Sequence, residues 1–144
     1  MDRIRCLRLV FVAALAVPLL LLVAGCGSTT KAGARSVRVT ERDFAIRAPK
    51  RIAAGDVDLV VDNDGPDAHE LILVRLDGRP LPLRQDGLTV DEEVLERRTL
   101  GGLEPGNPGA MRHLRVHLTP GRYELFCNMY GHYRGGMRTQ VVVG

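Results

Sequence analysis

The sequence predicts an all-β domain, a β-sandwich with a short helix inserted in a long excursion between two strands. Short runs rich in β-branched residues recur along the chain, and clusters of turn residues at 62–66 and 119–122 separate them. Leu114, Val116 and Leu118 alternate with polar residues, which predicts a strand with one buried face. Short strands at this spacing are typical of a β-sandwich.

The strands can be placed in chain order from the same two signals, alternation and turn residues. The predicted strands are 37–40, 44–46, 57–61, 70–76, 113–118, 123–127 and 140–143. Tyr123, Leu125 and Cys127 fall on one face of their strand, because successive side chains of a strand point to opposite faces. Cys127 is therefore expected at a strand end, where the sheet holds it in place.

The excursion over 77–111 interrupts this strand pattern. Its 89–98 segment predicts a short helix, because Thr89 and Glu92 have the spacing of a capping box. The helix would present a narrow apolar stripe formed by Val90, Val94 and Leu95. The 103–109 segment is rich in glycine and proline and is predicted to be a loop.

Positions 1–25 have the organisation of a secretory signal peptide. Arginines at positions 3, 5 and 8 precede an apolar run at 9–23, which is short for a membrane-spanning helix and leads into small residues. The junction before Cys26 looks like a bacterial lipobox, in which cleavage exposes a cysteine that carries lipid; the alternative is an ordinary signal peptide with an incidental cysteine. Residues 26–36 are small and polar, so we expect a lipidated Cys26 and a flexible tether at an extracytoplasmic membrane surface.

The remaining 37–144 segment has the length of one domain and retains one of the three cysteines of the chain. Cys6 leaves with the signal peptide and Cys26 would be lipidated, so Cys127 has no partner for an internal disulfide. Metal ligation explains such a thiol; the alternative is an inert buried cysteine. The formal net charge of +3 partly reflects the signal arginines and gives no warrant for nucleic-acid binding.

A ligand loop follows the predicted strand that ends at Cys127. Cys127, His132 and Met137 form a Cys-x4-His-x4-Met pattern, which supplies a thiolate, an imidazole and a thioether from one loop. His69, just after the turn at 62–66, is the candidate for the fourth ligand. Two histidines, one cysteine and a distant methionine are the ligands of a blue-copper electron-transfer site. One mononuclear copper that alternates between Cu(I) and Cu(II) is the expected cofactor.

Each candidate ligand also has an ordinary structural interpretation. His69 could be a surface histidine beside a turn, and Met137 could be a core residue that fills space. His113 and His117 lie on one strand face, but a four-residue step along a strand is about 13 Å. They cannot share one metal ion without a bend, so we expect both to be solvated.

The chain resembles the cupredoxins, small blue-copper proteins such as plastocyanin, auracyanin and rusticyanin, over most of its domain. Two patterns carry the resemblance: Val61-x-Asn63-x-Gly65 followed by His69-Glu70-Leu71, and Gly121-x-Tyr123-x-Leu125-x-Cys127-x4-His132-x4-Met137. The resemblance implies a Greek-key sandwich in which His69, Cys127 and His132 are strong copper ligands and Met137 is a weak axial one. It also implies that Asn63 ties the two ligand loops together by hydrogen bonds.

The expected function is transfer of single electrons by a monomeric, membrane-anchored protein that is not an enzyme. The resemblance implies that the edge of His132 lies near the surface and passes the electron to a redox partner protein, whose identity the sequence does not give. Met129, Tyr130 and Tyr133 are expected to form part of the docking surface, because they neighbour His132 in sequence.

Other functions and other kinds of metal site use similar ligands. A periplasmic or cell-surface copper chaperone or buffer is the main alternative, although such a protein would have more exposed clusters of methionine or histidine. A copper enzyme would need further histidine clusters or domains, and a dinuclear copper centre would need a second cysteine in the loop. A zinc site is possible by ligand type, but the loop does not resemble a zinc ribbon.

Overall fold

The computed structural model describes residues 33–144, so the predicted signal peptide, Cys26 and most of the predicted tether lie outside the described residues. The strands are β1 (Arg35–Arg42), β2 (Ala45–Arg47), β3 (Arg51–Ile52), β4 (Gly55–Asn63), β5 (His69–Arg75), β6 (Thr99–Gly106), β7 (Met111–Leu118), β8 (Gly121–Phe126) and β9 (Arg138–Val143). A short helix, α1 (Glu92–Leu95), continues into a 3-10 helix (Glu96–Arg98). Strand β1 begins inside the segment predicted as a tether.

Two sheets form the predicted β-sandwich. One sheet has the order β2-β1-β4-β7 and the other has the order β3-β9-β8-β5-β6. The pairs β1–β4 and β3–β9 are parallel, and the other pairs are antiparallel. Because β1 and β4 run in the same direction, the β1–β2 turn and the loop after β4 lie at the same end of the sandwich.

The main core lies between the two sheets and follows from the alternation in the sequence. Strand β4 turns Val57, Leu59 and Val61 inward, and β8 contributes Tyr123 and Leu125 to the same cluster. Burial of such side chains contributes about 1.5–3 kcal/mol for each one. Cys127 and Met137 belong to this buried cluster as well, so the candidate ligand loop begins and ends in the core.

His113 and His117 lie on the outer face of β7, as predicted. Nδ1 of His113 lies 3.0 Å from an oxygen of Asp58, and Nδ1 of His117 lies 2.7 Å from an oxygen of Asp56. Both imidazoles are substantially exposed to solvent. Each histidine therefore pairs with a carboxylate of the neighbouring strand β4, and neither points toward the candidate ligands.

The predicted helix exists but is shorter, and its capping residue was predicted incorrectly. Asp91 is the N-cap, and its side chain accepts a hydrogen bond from the N–H of Val94. Thr89 lies two residues before this cap, and its carbonyl accepts the N–H of Arg84 in a turn that precedes the helix. Val90 and Leu95 are buried as the apolar stripe predicts, whereas Val94 is 63% exposed. The described residues include no helix that is long and apolar enough to cross a membrane.

The prediction of a loop at 103–109 was wrong for 103–106, because β6 occupies Thr99–Gly106 and pairs with β5 at the edge of the second sheet, whereas 107–109 do lie in the turn before β7. The glycines and the proline of this strand concealed it in the sequence. A proline is tolerated in an edge strand, since its missing N–H removes no hydrogen bond within the sheet. Gly102 also lies close to β5: a Cβ atom there would be 3.0 Å from the carbonyl oxygen of Leu71.

The excursion builds a second core on the outer face of the larger sheet. This second core consists of Ile72, Val74, Leu81, Val90, Leu95, Phe126 and Tyr133. Strands β5 and β8 are consequently buried on both faces. Burial on both faces explains why β5 reads as a continuous apolar run rather than as an alternating one.

We predict that Leu95→Ala lowers the free energy of unfolding by about 2–5 kcal/mol, because it leaves a cavity in the second core. Val94→Ala is the matched control in the same helix, since Val94 is largely exposed, and it should change stability by less than about 0.5 kcal/mol. Urea denaturation of the full chain measures both. Equal, small effects of the two substitutions would show that the excursion is not packed on the sheet.

Candidate metal centre

Three predicted ligands meet at one end of the sandwich. His69 is the first residue of β5, Cys127 directly follows β8, and His132 comes from the loop between β8 and β9. One ligand atom from each residue lies within 4.8 Å of the other two. Sγ of Cys127 is 3.4 Å from Nδ1 of His132, and the centroids of the two imidazole rings are 5.2 Å apart. His69 and Cys127 are fully buried, whereas His132 is partly exposed.

Backbone hydrogen bonds close the ligand loop on itself. The N–H of Cys127 donates to the carbonyl of Met137 (3.1 Å), and the N–H of Met137 donates to the carbonyl of His132 (3.0 Å). Gly131 and Gly136 have φ angles of 80° and 104°, in the left-handed region that favours glycine. The turns at these two glycines bring the chain back, so that Cys127, His132 and Met137 are tied to one another through the main chain.

Met137 is fully buried and packs within the main core. Its main chain bonds to two of the three other candidate ligands, and a thioether contributes only a weak, long bond in a blue-copper site. Met137 is therefore placed at the site by its loop, and its role as the axial ligand stays a prediction.

His69 has one engaged and one free ring nitrogen. Nε2 lies 3.0 Å from a carboxylate oxygen of Asp43, so Nε2 carries the hydrogen and donates it. Nδ1 is buried and has no hydrogen-bond partner among the described residues. Burial also lowers the pKa of His69, in opposition to Asp43, which raises it. The imidazole is therefore neutral at neutral pH, with the lone pair of Nδ1 available for a metal ion.

Cys127 is held as a thiol in the absence of a cation. Burial raises its pKa to about 11, although hydrogen bonds from the backbone of Met129 and Glu70 act in the opposite direction. A metal ion that binds here must therefore displace the thiol proton, and its apparent affinity rises with pH below this pKa. The two backbone N–H groups are then in place to stabilise the sulfur as a thiolate.

Asn63 is buried beside the site, but its hydrogen bonds differ from those that the resemblance implies. Its amide nitrogen donates to the carbonyls of Asp67 (2.8 Å) and Gly106 (2.9 Å), and its oxygen accepts the N–H of Gly65 (2.9 Å). Both donor hydrogens of the amide are thereby used. Asn63 thus orders the turn before His69 and fastens it to the end of β6 rather than to the Cys127 loop.

Asn128, the residue after Cys127, is held on all sides by hydrogen bonds, and no pattern in the sequence identifies it as part of the site. Its side-chain oxygen accepts the N–H of Val90 (2.6 Å), and its amide nitrogen donates to the carbonyl of Val90 (3.0 Å) and to Glu92 (2.7 Å). Its main-chain N–H donates to the carboxylate of Glu70 (2.9 Å). These partners lie far apart in the sequence, so no local pattern could have identified them.

The β1–β2 turn contacts His132, which no pattern in the sequence indicates, and the prediction that Tyr133 lies on the docking surface was wrong. The ring of Phe44 packs edge-on against His132, with ring centroids 5.6 Å apart, and is 54% exposed. Tyr133 is only 5% exposed and donates a hydrogen bond to Glu124 (3.0 Å) in the second core. Tyr133 therefore cannot form a docking surface, whereas Tyr130 is 75% exposed as that prediction requires.

Comparison with known proteins establishes the fold of the chain. No protein-family model matches the sequence, and no curated protein does. An auracyanin from Roseiflexus castenholzii shares 17% identity and a TM-score of 0.57, over 78% of this chain and 99% of the other. Auracyanin A, a "blue" copper protein from Chloroflexus aurantiacus, shares 16% identity and a TM-score of 0.57, over 78% and 100%. Rusticyanin from Thiobacillus ferrooxidans shares 16% identity and a TM-score of 0.58, over 76% and 78%. The chain therefore has the β-sandwich fold of the cupredoxins.

Proposed function

We propose that this protein binds one copper ion and transfers single electrons at an extracytoplasmic membrane surface. The observation that carries the proposal is the convergence of His69, Cys127 and His132 at one end of a sandwich with the cupredoxin fold. A thiolate with two imidazoles and a weak thioether suits copper better than it suits magnesium, calcium or manganese. Nδ1 of His69, which has no hydrogen-bond partner among the described residues, and the sulfur of Cys127, once its proton is displaced, provide donor atoms that this ion needs.

Copper supplies a one-electron couple, and the chain supplies a rigid and dry environment for it. His69 and Cys127 are buried, which excludes water from their side of the site. His132 is the proposed exit for the electron because it is partly exposed, whereas the other three proposed ligands are fully buried. Phe44 and Tyr130 provide exposed aromatic surface near His132, and we propose that a small redox protein docks there.

The rigidity of the ligand set favours an electron carrier over a copper chaperone. Cys127 and Met137 are linked through the main chain at the ends of β8 and β9, and His69 begins β5. A ligand set that moves little between oxidation states lowers the barrier to each electron transfer. Transfer of the ion itself would instead require ligands that open, and the buried His69 and Cys127 are poorly placed to open.

We predict that the full chain loaded with Cu(II) shows intense thiolate-to-copper absorption, with a blue or green colour. Cys127→Ser should abolish this absorption, because the band requires the sulfur, and His69→Ala or His132→Ala should strongly perturb it.

Met137→Gln should keep copper bound while lowering the reduction potential, because a weak axial ligand tunes potential more than affinity. Visible spectroscopy and voltammetry provide the measurements.

The matched control for the spectrum is His113→Ala, which removes an exposed histidine that points away from the site. It should leave the band unchanged. A colourless wild-type protein that contains stoichiometric Cu(II) would contradict the blue-copper proposal. An unchanged potential and spectrum in Met137→Gln would exclude Met137 from the ligand set.

We predict that the reduced protein transfers electrons rapidly to an oxidised cytochrome and keeps its copper through repeated cycles. Stopped-flow mixing gives the rate, and metal analysis of the separated proteins gives the copper content. Mixing the Cu(I) form with an acceptor apoprotein is the parallel experiment. Slow oxidation combined with ready loss of Cu(I) to the acceptor would favour copper trafficking instead.

We propose that Cys26 is the mature N-terminus and carries a lipid anchor, because it follows an apolar segment and the small residues of a lipobox-like junction. Mass spectrometry of the membrane fraction should find a lipid-modified Cys26. An unmodified N-terminus beyond Cys26, on a protein recovered free of membranes, would contradict this proposal.

A further inference from the structure

The turn between β1 and β2 contacts both histidines of the candidate site. Arg42 pairs with Ala45 at the base of this hairpin, so Asp43 and Phe44 alone form its tip. Asp43 accepts a hydrogen bond from Nε2 of His69, and Phe44 packs against the ring of His132. No pattern in the sequence assigns a function to either residue.

The main chain of Gly65 lies directly against the hydrogen bond between Asp43 and His69. A Cβ atom at Gly65 would lie 2.9 Å from Nε2 of His69 and 3.0 Å from Oδ1 of Asp43. Glycine is therefore the residue that lets the turn before β5 close over this bond. The imidazole is fully buried and the carboxylate is about one-third exposed, so the bond lies at the boundary between the site and solvent.

Phe44 holds the turn against the ligand loop. A Cβ atom at Gly135 would collide with Cδ1 of Phe44, so the aromatic ring rests directly on the glycine backbone. Phe44 has a φ of 57°, which is rare for a bulky residue and costs free energy. This conformation persists because the ring packs between Gly135 and His132. The hairpin tip is thus fixed in position from both sides of the site.

We propose that Asp43 is a positioning residue for His69, and that its carboxylate fixes the Nε2–H tautomer, orients Nδ1 as the ligand atom and lowers the reduction potential of the bound copper. The inference rests on the proposed copper function and extends it to a residue outside the ligand set. A carboxylate bonded to the second nitrogen of a ligand histidine fixes the ring orientation and raises its basicity. Its negative charge also favours the more positive, oxidised metal ion.

The charged surroundings of His69 supply a matched control for this proposal. Asp67 also acts on His69 through its charge, but the carboxylate that hydrogen-bonds the ring is that of Asp43. Asp67→Asn therefore removes a nearby negative charge and leaves the hydrogen bond intact. Asp43→Ala removes both the charge and the acceptor, whereas Asp43→Asn removes the charge and retains an acceptor oxygen of the same shape.

The first test uses the metal-free full chain, in which long-range ¹H–¹⁵N NMR reports the tautomer of each imidazole. Wild type and Asp67→Asn should show His69 with hydrogen on Nε2. Asp43→Ala should show a mixture of the two tautomers, because no acceptor then selects Nε2–H. A His69 tautomer that is the same in Asp43→Ala as in Asp67→Asn would overturn the proposal.

The second test uses the copper-loaded chain at one fixed pH. Asp43→Ala should lose about 10–100-fold in Cu(II) affinity, the usual effect of removing such a partner, and Asp67→Asn should lose less. The reduction potential of Asp43→Asn should lie above those of wild type and Asp67→Asn. Potentials that are equal in Asp43→Asn and Asp67→Asn would overturn the proposal, and this comparison stands even where Asp43→Ala fails to fold.

The two tests separate this inference from the proposed function. A wild-type protein without the thiolate-to-copper band contradicts copper electron transfer itself. A wild-type protein with the band, whose Asp43 variants match Asp67→Asn in tautomer, affinity and potential, contradicts the role of Asp43 alone.

Discussion

The burial of one thiol and one imidazole beside a second, partly exposed imidazole, at the end of an apolar core, is the constraint on which the rest of the structure depends. Cys127 is kept protonated by burial, and Nδ1 of His69 has no partner among the described residues. A buried polar group without a partner costs about 1–3 kcal/mol. A single soft cation between the three donor atoms would satisfy them together. The main core therefore carries a polar cluster whose stability depends on the ion that we propose it binds.

The excursion between β5 and β6 acts on this cluster through Asn128. Its side chain is bonded to both main-chain groups of Val90, and Val90 belongs to the second core. The residue after Cys127 is thereby attached to packed apolar structure on the outer face of the sheet. Cys127 itself packs in the main core on the inner face. The ligand loop leaves β8 with an anchor on each side of the sheet, which restricts its movement more than either core could alone.

Most of the fold, and the three residues that converge at the candidate site, could be predicted from the sequence because strand patterns, turn clusters and spacing within one loop are short-range features. Alternation, β-branched runs and turn clusters located strands of both sheets but not β3 or β6, and the spacing of Cys127, His132 and Met137 within one loop marked the candidate site. The errors arose where long-range contacts override local signals. Gly101, Gly102 and Pro105 give β6 the composition of a loop. The strand forms through its pairing with β5, which is a long-range contact. Tyr133 lies in a polar, glycine-rich stretch of sequence that is typical of a surface loop. It is nevertheless buried, because the segment between β5 and β6 packs over it in the second core.

At two positions around the β1–β2 turn, glycine is required because neighbouring atoms leave no room for a side chain, and not because the chain reverses direction there. Gly65 and Gly135 lack left-handed φ angles, yet a Cβ atom at either position would collide with the turn or with the histidine bonded to it. Phe44 does have a left-handed φ and carries the largest side chain of the turn. The strained backbone therefore belongs to Phe44, which packs against His132. The two glycines lie where a neighbouring segment comes too close to the turn for a side chain to fit. This distribution favours the orientation of both imidazoles over the local stability of the hairpin, as expected where a functional site stores strain.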